Sequence, residues 1–214
     1  MKGLKSVRAW RSVLAVVVAA GTVGAAAVQA AAAPADTWTV TPGGALTATA
    51  PLRISNVTRG WNIDCGSATF TGAAKTGSGL SGSQLVEFDS VSFDGCSGPD
   101  GVQYTVTMTS EVQLDMTAAS YDPATGKTSG DLFGFQLNLV GTNRCQADIA
   151  DPAGDLGKAD ATFTNNGSVL ALGGGNMGVT FVNFACPGGF IAIGDQVVVT
   201  TQLSVSPSQI ITSP

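Results

Sequence analysis

Four carboxylates are the residues of this chain best spaced for chemistry. Glu87 and Asp89 lie two apart, and Glu111 and Asp115 share parity across Val112-Gln113-Leu114. Residues two apart on a β-strand project from the same face. Each pair would therefore present its two carboxyl groups on one face, and a pair of carboxylates is what glycoside hydrolysis requires as its acid and its nucleophile or base. The same pattern also belongs to a solvated strand that carries charge to resist edge-to-edge aggregation. Other catalytic sets are missing. The chain has no histidine, so Ser-His-Asp and Cys-His catalysis lack their proton acceptor. Neither a Gly-x-Ser-x-Gly elbow nor a phosphate-binding Gly-x-x-x-x-Gly-Lys-Ser/Thr loop occurs. The expectation is a protein that is not an enzyme, with hydrolysis by carboxylates alone as the alternative.

Two further groups could bind rather than react. Asp148, Asp151 and Asp155 fall within Asp-Ile-Ala-Asp-Pro-Ala-Gly-Asp, and oxygen-rich loops can hold calcium, which takes six to eight oxygen ligands. Their spacing matches no calcium-loop pattern, and Asp with Pro and Gly is ordinary turn chemistry. Trp38 and Tyr121, in Gly/Thr/Ser-rich surroundings, could offer a flat platform for sugar rings or else pack at a core edge. Trp61, four residues before Cys65, is expected to pack on that cysteine's bridge, as a buried Trp does in disulfide-bearing sandwiches. No cofactor is expected.

The elements that must hold these residues read as strands. Alternation with period two, bounded by Gly, Pro, Asn and Asp, recurs over 38–41, 45–50, 85–93, 102–108, 133–140, 161–164, 168–172, 179–184 and 196–205. Asn165-Asn166-Gly167 separates two of these runs, and Asn-Gly favours a tight hairpin because its turn needs positive φ. Asp94-Gly95 and Asp100-Gly101 are further turn signals. The fold class expected is all-β, an antiparallel β-sandwich or Greek-key barrel.

Cys65, Cys96, Cys145 and Cys186 allow three pairings by count alone. An internal echo favours sequential pairing. Each closing cysteine follows a strand-like run and precedes a Gly/Pro turn, Ser97-Gly98-Pro99-Asp100-Gly101 or Pro187-Gly188-Gly189, and then a β-branched run. The bridges expected are Cys65–Cys96 and Cys145–Cys186, with 36–130 and 131–214 as two echoed β units. Zinc and redox chemistry are disfavoured, because no Cys-x-x-Cys and no histidine are present.

Ahead of these strands stands an export segment. Lys2, Lys5, Arg8 and Arg11 precede an apolar run from Val13 to Val28, and small residues close it in Gln29-Ala30-Ala31-Ala32-Ala33-Pro34-Ala35. These are the three parts of a helical secretory signal peptide, residues 1–35, with cleavage expected after Ala35 or Ala30. Residues 36–214 then carry six basic and fifteen acidic side chains, a net charge of −9. Scattered Lys and Arg on so acidic a chain make no phosphate-binding footprint. Nucleic acid and an anionic membrane are therefore poor partners.

Several motifs, taken in order, resemble those of small secreted actinobacterial proteins that contain disulfides and have no assigned activity. They are Trp38-Thr39-Val40-Thr41-Pro42-Gly43-Gly44, Gly77-Ser78-Gly79-Leu80-Ser81-Gly82, Cys96-Ser97-Gly98-Pro99, Ser120-Tyr121-Asp122 with Ala124-Thr125-Gly126-Lys127, and the closing Val205-Ser206-Pro207. The resemblance implies export and a β-rich, disulfide-bonded class, and it transfers no functional residue. The function expected is a secreted or cell-envelope-associated structural or binding module. Its partner would be a cell-wall polysaccharide or another extracellular protein. The alternatives are a glycosidase-like hydrolase, or an inhibitor or small-molecule carrier.

Overall fold

A computed structural model describes residues 37–214, so the export segment lies outside the described residues. Fifteen strands run in chain order: β1 (Trp38–Thr41), β2 (Gly44–Asn56), β3 (Trp61–Ala74), β4 (Gly77–Leu80), β5 (Val86–Ser97), β6 (Gln103–Met108), β7 (Leu114–Asp122), β8 (Lys127–Phe135), β9 (Leu137–Gly141), β10 (Gln146–Ala150), β11 (Gly157–Thr164), β12 (Val169–Gly173), β13 (Gly178–Val182), β14 (Val197–Ser206) and β15 (Ile210–Thr212). The all-β antiparallel class is as expected. It takes the form of a closed barrel of eight strands, β5-β3-β2-β14-β12-β11-β8-β7, sealed where β5 meets β7.

The connections are up-and-down between neighbours. β2, β3, β5 and β14 are long, while the opposite wall is built of strands broken at a waist. Collinear pairs β6/β7, β8/β9, β10/β11 and β12/β13 each supply one upper and one lower segment. The upper segments complete the closed barrel. The lower ones continue it as β5-β6-β9-β10-β13, and a single bridge from Gly178 to Gln196 joins β13 back to the start of β14. The breaks fall at residues poor at continuing a strand: 109–113, Gln136, the Asp-Pro-Ala-Gly-Asp stretch and Gly174-Gly175. The boundary between the two expected units, at residue 130, falls inside β8, and all described residues belong to one compact unit. The echo survives in a narrower sense, since each bridge ties the lower parts of neighbouring strands.

Inward residues alternate along much of the long strands, as Leu52, Ile54 and Asn56 do at the end of β2 and Val197, Val199, Thr201, Leu203 and Val205 along β14. They fill the interior. Between Leu46, Phe88, Met116 and Phe163 about 10 Å³ remains, at the limit of what one water needs. Between Ile63, Tyr104, Leu139 and Phe190 none remains. A small sheet, β15-β1-β4, closes the upper end and buries Val40 and Ile211. Asn165 holds it in place: its side chain donates to Ile211 O at 2.9 Å and accepts from Ile211 N at 2.8 Å. The hairpin at Asn165-Asn166-Gly167 forms with a four-residue loop instead of a two-residue one. Positive φ falls at Gly167 and Ser168, because the buried Ser168 hydroxyl is turned in to accept from Gln209 N. Asp94-Gly95 makes no turn and lies within β5, whereas Asp100-Gly101 does turn, both with positive φ.

Candidate functional site

Both bridges, Cys65–Cys96 and Cys145–Cys186, are formed and no described cysteine is free. Cys65 and Cys96 sit directly opposite each other on β3 and β5. Cys145 precedes β10 and Cys186 follows β13, its neighbour. Trp61 departs from expectation. Its ring stacks on Phe190 at 4.6 Å, and its indole N–H donates to Phe190 O at 2.6 Å. Trp61 thereby clamps the loop 183–196 over the lower end of the barrel.

The same loop is held by a buried ion pair. Asp195, 4% exposed, accepts from Arg59 Nε at 2.5 Å, Asn56 Nδ2 at 3.0 Å and Ala192 N at 2.9 Å. Burial pushes its carboxyl group up, but these donors outweigh burial and hold it below the usual carboxylate value. Arg59 also donates to Gly189 O.

Of the two readings of Trp38, sugar platform or packing at the core, the structure shows packing. Trp38 is 2% exposed, packed beneath the turn before β5. A Cβ on Gly82 would come within 2.8 Å of the Trp38 indole nitrogen, so glycine is what lets the chain cross the ring. Tyr121 is half-buried against the core. The enclosed Trp38 ring has no free face for a sugar. The calcium candidate fails likewise. Asp148 accepts from Asn138 at 2.6 Å, and Asp151 from Asn176 at 2.6 Å and Ala153 N at 2.9 Å. Asp155 stands beside Asp151, whose N donates to Asp155 O at 3.2 Å, but the described residues contain no cluster of three acids placed to hold a metal ion.

The carboxylate pairs are brought together in a way their local spacing does not foretell. Glu87 on β5 lies directly opposite Asp115 on β7, within the three residue pairs that close the barrel. Asp115 in turn lies opposite Phe133 on β8, and Phe133 opposite Lys158 on β11. An outward row thus runs Glu87, Asp115, Phe133, Lys158 across four strands. Phe133 is 42% exposed, a large apolar ring on an otherwise polar face. Gln113 donates to Asp89, Gln84 Nε2 donates to Asp115 Oδ2 at 2.9 Å, and Lys158 Nζ donates to Asp131 Oδ2 at 2.9 Å. Asp115 Oδ1 is buried without a hydrogen-bond partner. Glu111 lies in the loop before β7, apart from the row.

Beside this row β5 changes partner. Val86–Phe88 pair with β7 and Cys96–Ser97 with β6. The stretch between them has no neighbour on that side, and a groove of about 230 Å³ opens there along Asp89, Ser90, Val91, Ser110 and Val112. A second cleft of about 340 Å³ sits further round the waist, between Gln136, Asp151, Asp155 and Thr180. Thr109 links the two sides, its N and Oγ1 both donating to Gln136 O. Planar carboxamide and carboxylate side chains can serve hydroxyl groups, and an exposed ring can serve the apolar face of a sugar. The sequence placed Phe133 on a strand but held no signal of what it would face, because cross-strand register is a non-local property.

No family model, curated protein or solved structure matches the chain.

Proposed function

We propose that this chain is an exported binding module of the extracellular space or cell envelope. Its contact face is the outward row around Phe133, and its partner is a hydroxyl-rich polysaccharide. The observation that carries this reading is the exposed Phe133 ring, set in one row with Asp115, Glu87 and Lys158 beside the waist groove. Two disulfides accord with an oxidising compartment, and the filled interior leaves recognition to the surface. Calorimetric titration with envelope polysaccharides and peptidoglycan tests it. Saturable binding to at least one of them is expected, and none to any of them would defeat the reading.

One observation favours a second reading, hydrolysis by the carboxylates. Glu87 and Asp115 oppose each other across an antiparallel pair, with Cβ atoms about 5 Å apart in such positions. Side chains that run parallel from such positions bring their carboxyl groups near the roughly 5 Å separation used by retaining glycosidases. A glycosidase screen with Glu87→Gln and Asp115→Asn separates the readings: activity abolished by either change would make the row a catalytic pair.

A further inference from the structure

All four hairpin connections of the lower end, 57–60, 98–102, 142–145 and 183–196, meet around one rim. Thr142 N donates to Gln103 O, Asn183 Nδ2 to Arg144 O, Arg59 Nη1 to Gly189 O, and Val57 N to Gln196 O. This rim is poorer in carboxylates than the barrel wall. Residues 37–214 carry fourteen carboxylates against six basic side chains. The rim loops hold only Arg59, Asp100, Arg144 and Asp195, and Arg59 and Asp195 neutralise each other in their ion pair. What remains is one exposed anion, Asp100, and one exposed cation, Arg144. The rim also projects apolar side chains. Phe184 is 102% exposed and Ile193 68%, with Val57 on the neighbouring turn. Phe184 is held out by a rigid base. Asn183 Oδ1 accepts from Gln146 N and Ala185 N, and Cys186 is bridged to Cys145 two residues further on. Next to it Gly188 and Gly189 offer bare backbone, with open space where a Cβ would stand.

We infer that this rim binds a second copy of the chain, head to head. Two molecules of high negative charge repel wherever carboxylates face each other, and the rim is an end at which they can meet without that cost, with its own exposed aromatic ring to bury. A two-fold contact is self-complementary, so that residue i of one subunit meets residue j of the other and j meets i. One unpaired anion and one unpaired cation satisfy that rule with two reciprocal Asp100–Arg144 pairs. Each Phe184 ring then lies on the other subunit's Gly188-Gly189 backbone, an aromatic anchor already ordered before contact. The inference does not depend on the polysaccharide reading, whose face lies on the upper barrel wall.

Sedimentation velocity on protein purified from its producing cells, with intact mass recorded, tests the contact. The expected result is a monomer–dimer equilibrium with Kd on the order of 10 μM. Phe184→Ser and Asp100→Arg should each weaken it about tenfold or more, and Asp100→Arg combined with Arg144→Asp should restore it. A monomer at all concentrations up to about 100 μM overturns the inference. So does association that Phe184→Ser leaves unchanged, or a double exchange no better than the single one. Circular dichroism of each variant separates lost contact from lost folding, because Phe184→Ser should leave the melt unchanged and Asp100→Arg, at a turn position of positive φ, should lower it only slightly.

Discussion

Asp195 is almost inaccessible to water, and its charge is tolerable only because Arg59, Asn56 and the Ala192 N–H converge on it. Asp195→Ala strands those donors and releases the loop that covers Ile63 and Tyr104. We expect a loss of about 2–3 kcal/mol in urea unfolding at pH 7. The folded-state value of this carboxyl lies below its ordinary 3.8. Its stabilisation is therefore complete above that ordinary value and fades as pH falls through the lower, folded one. The difference in stability between wild type and Asp195→Ala should accordingly shrink as the solution is made more acid, and a gap that widens as pH falls would contradict the assignment. Glu87 poses the opposite case. Facing Asp115 across the seam of the barrel, it sets like charge against like, and Glu87→Gln should raise stability by about 0.5 kcal/mol. A melt unchanged or lowered at low salt would mean that the opposition is already relieved.

At the scale of elements, the two bridges act on different problems. Cys65–Cys96 joins strands already paired along most of their length, whereas Cys145–Cys186 ties the short β10 and β13, and the latter touches β14 by one bridge alone. Each closes a loop worth about 3–4 kcal/mol of unfolded-state entropy. Removing the second, by Cys145→Ser with Cys186→Ser, should also speed amide exchange across β13 and the loop 183–196. Exchange confined to the ends of β3 would contradict this. Much of this layer was legible in the sequence. Alternation located β1, β6 and β14 and parts of β2, β5, β11 and β12, and the echoed cysteines gave the pairing. Three things were not. β3, β7 and β10 are rich in Ala, Ser, Thr and Gly, such as Gly-Ser-Ala-Thr and Thr-Ala-Ala-Ser, so their apolar contrast is faint although their inward faces are well buried. The run 133–140 read as one strand but breaks at Gln136. The polar neighbours of Trp38 left a platform and core packing both open, and the sheet formed with β4 and β15, distant in sequence, is what encloses it.

At the scale of the whole molecule, an eight-stranded up-and-down barrel is a form that can enclose a ligand, and here Phe70, Phe88, Phe135, Met116 and their neighbours occupy that space. A carrier would need an interior cavity, and the filled interior supports our proposal that recognition lies on the outside wall. There the waist that interrupts four strands opens grooves, and the register of β5, β7, β8 and β11 sets Phe133 among carboxylates. The row could not be read from the chain, since its members come from four strands and share only parity. Its test is direct. Titration of wild type and Phe133→Ala with the envelope polysaccharide bound best by the wild type should show affinity falling at least about tenfold in the variant, the loss of one well-placed aromatic contact, with the melting temperature unchanged. Equal affinity of the two proteins would contradict the claim that this face is where the molecule binds.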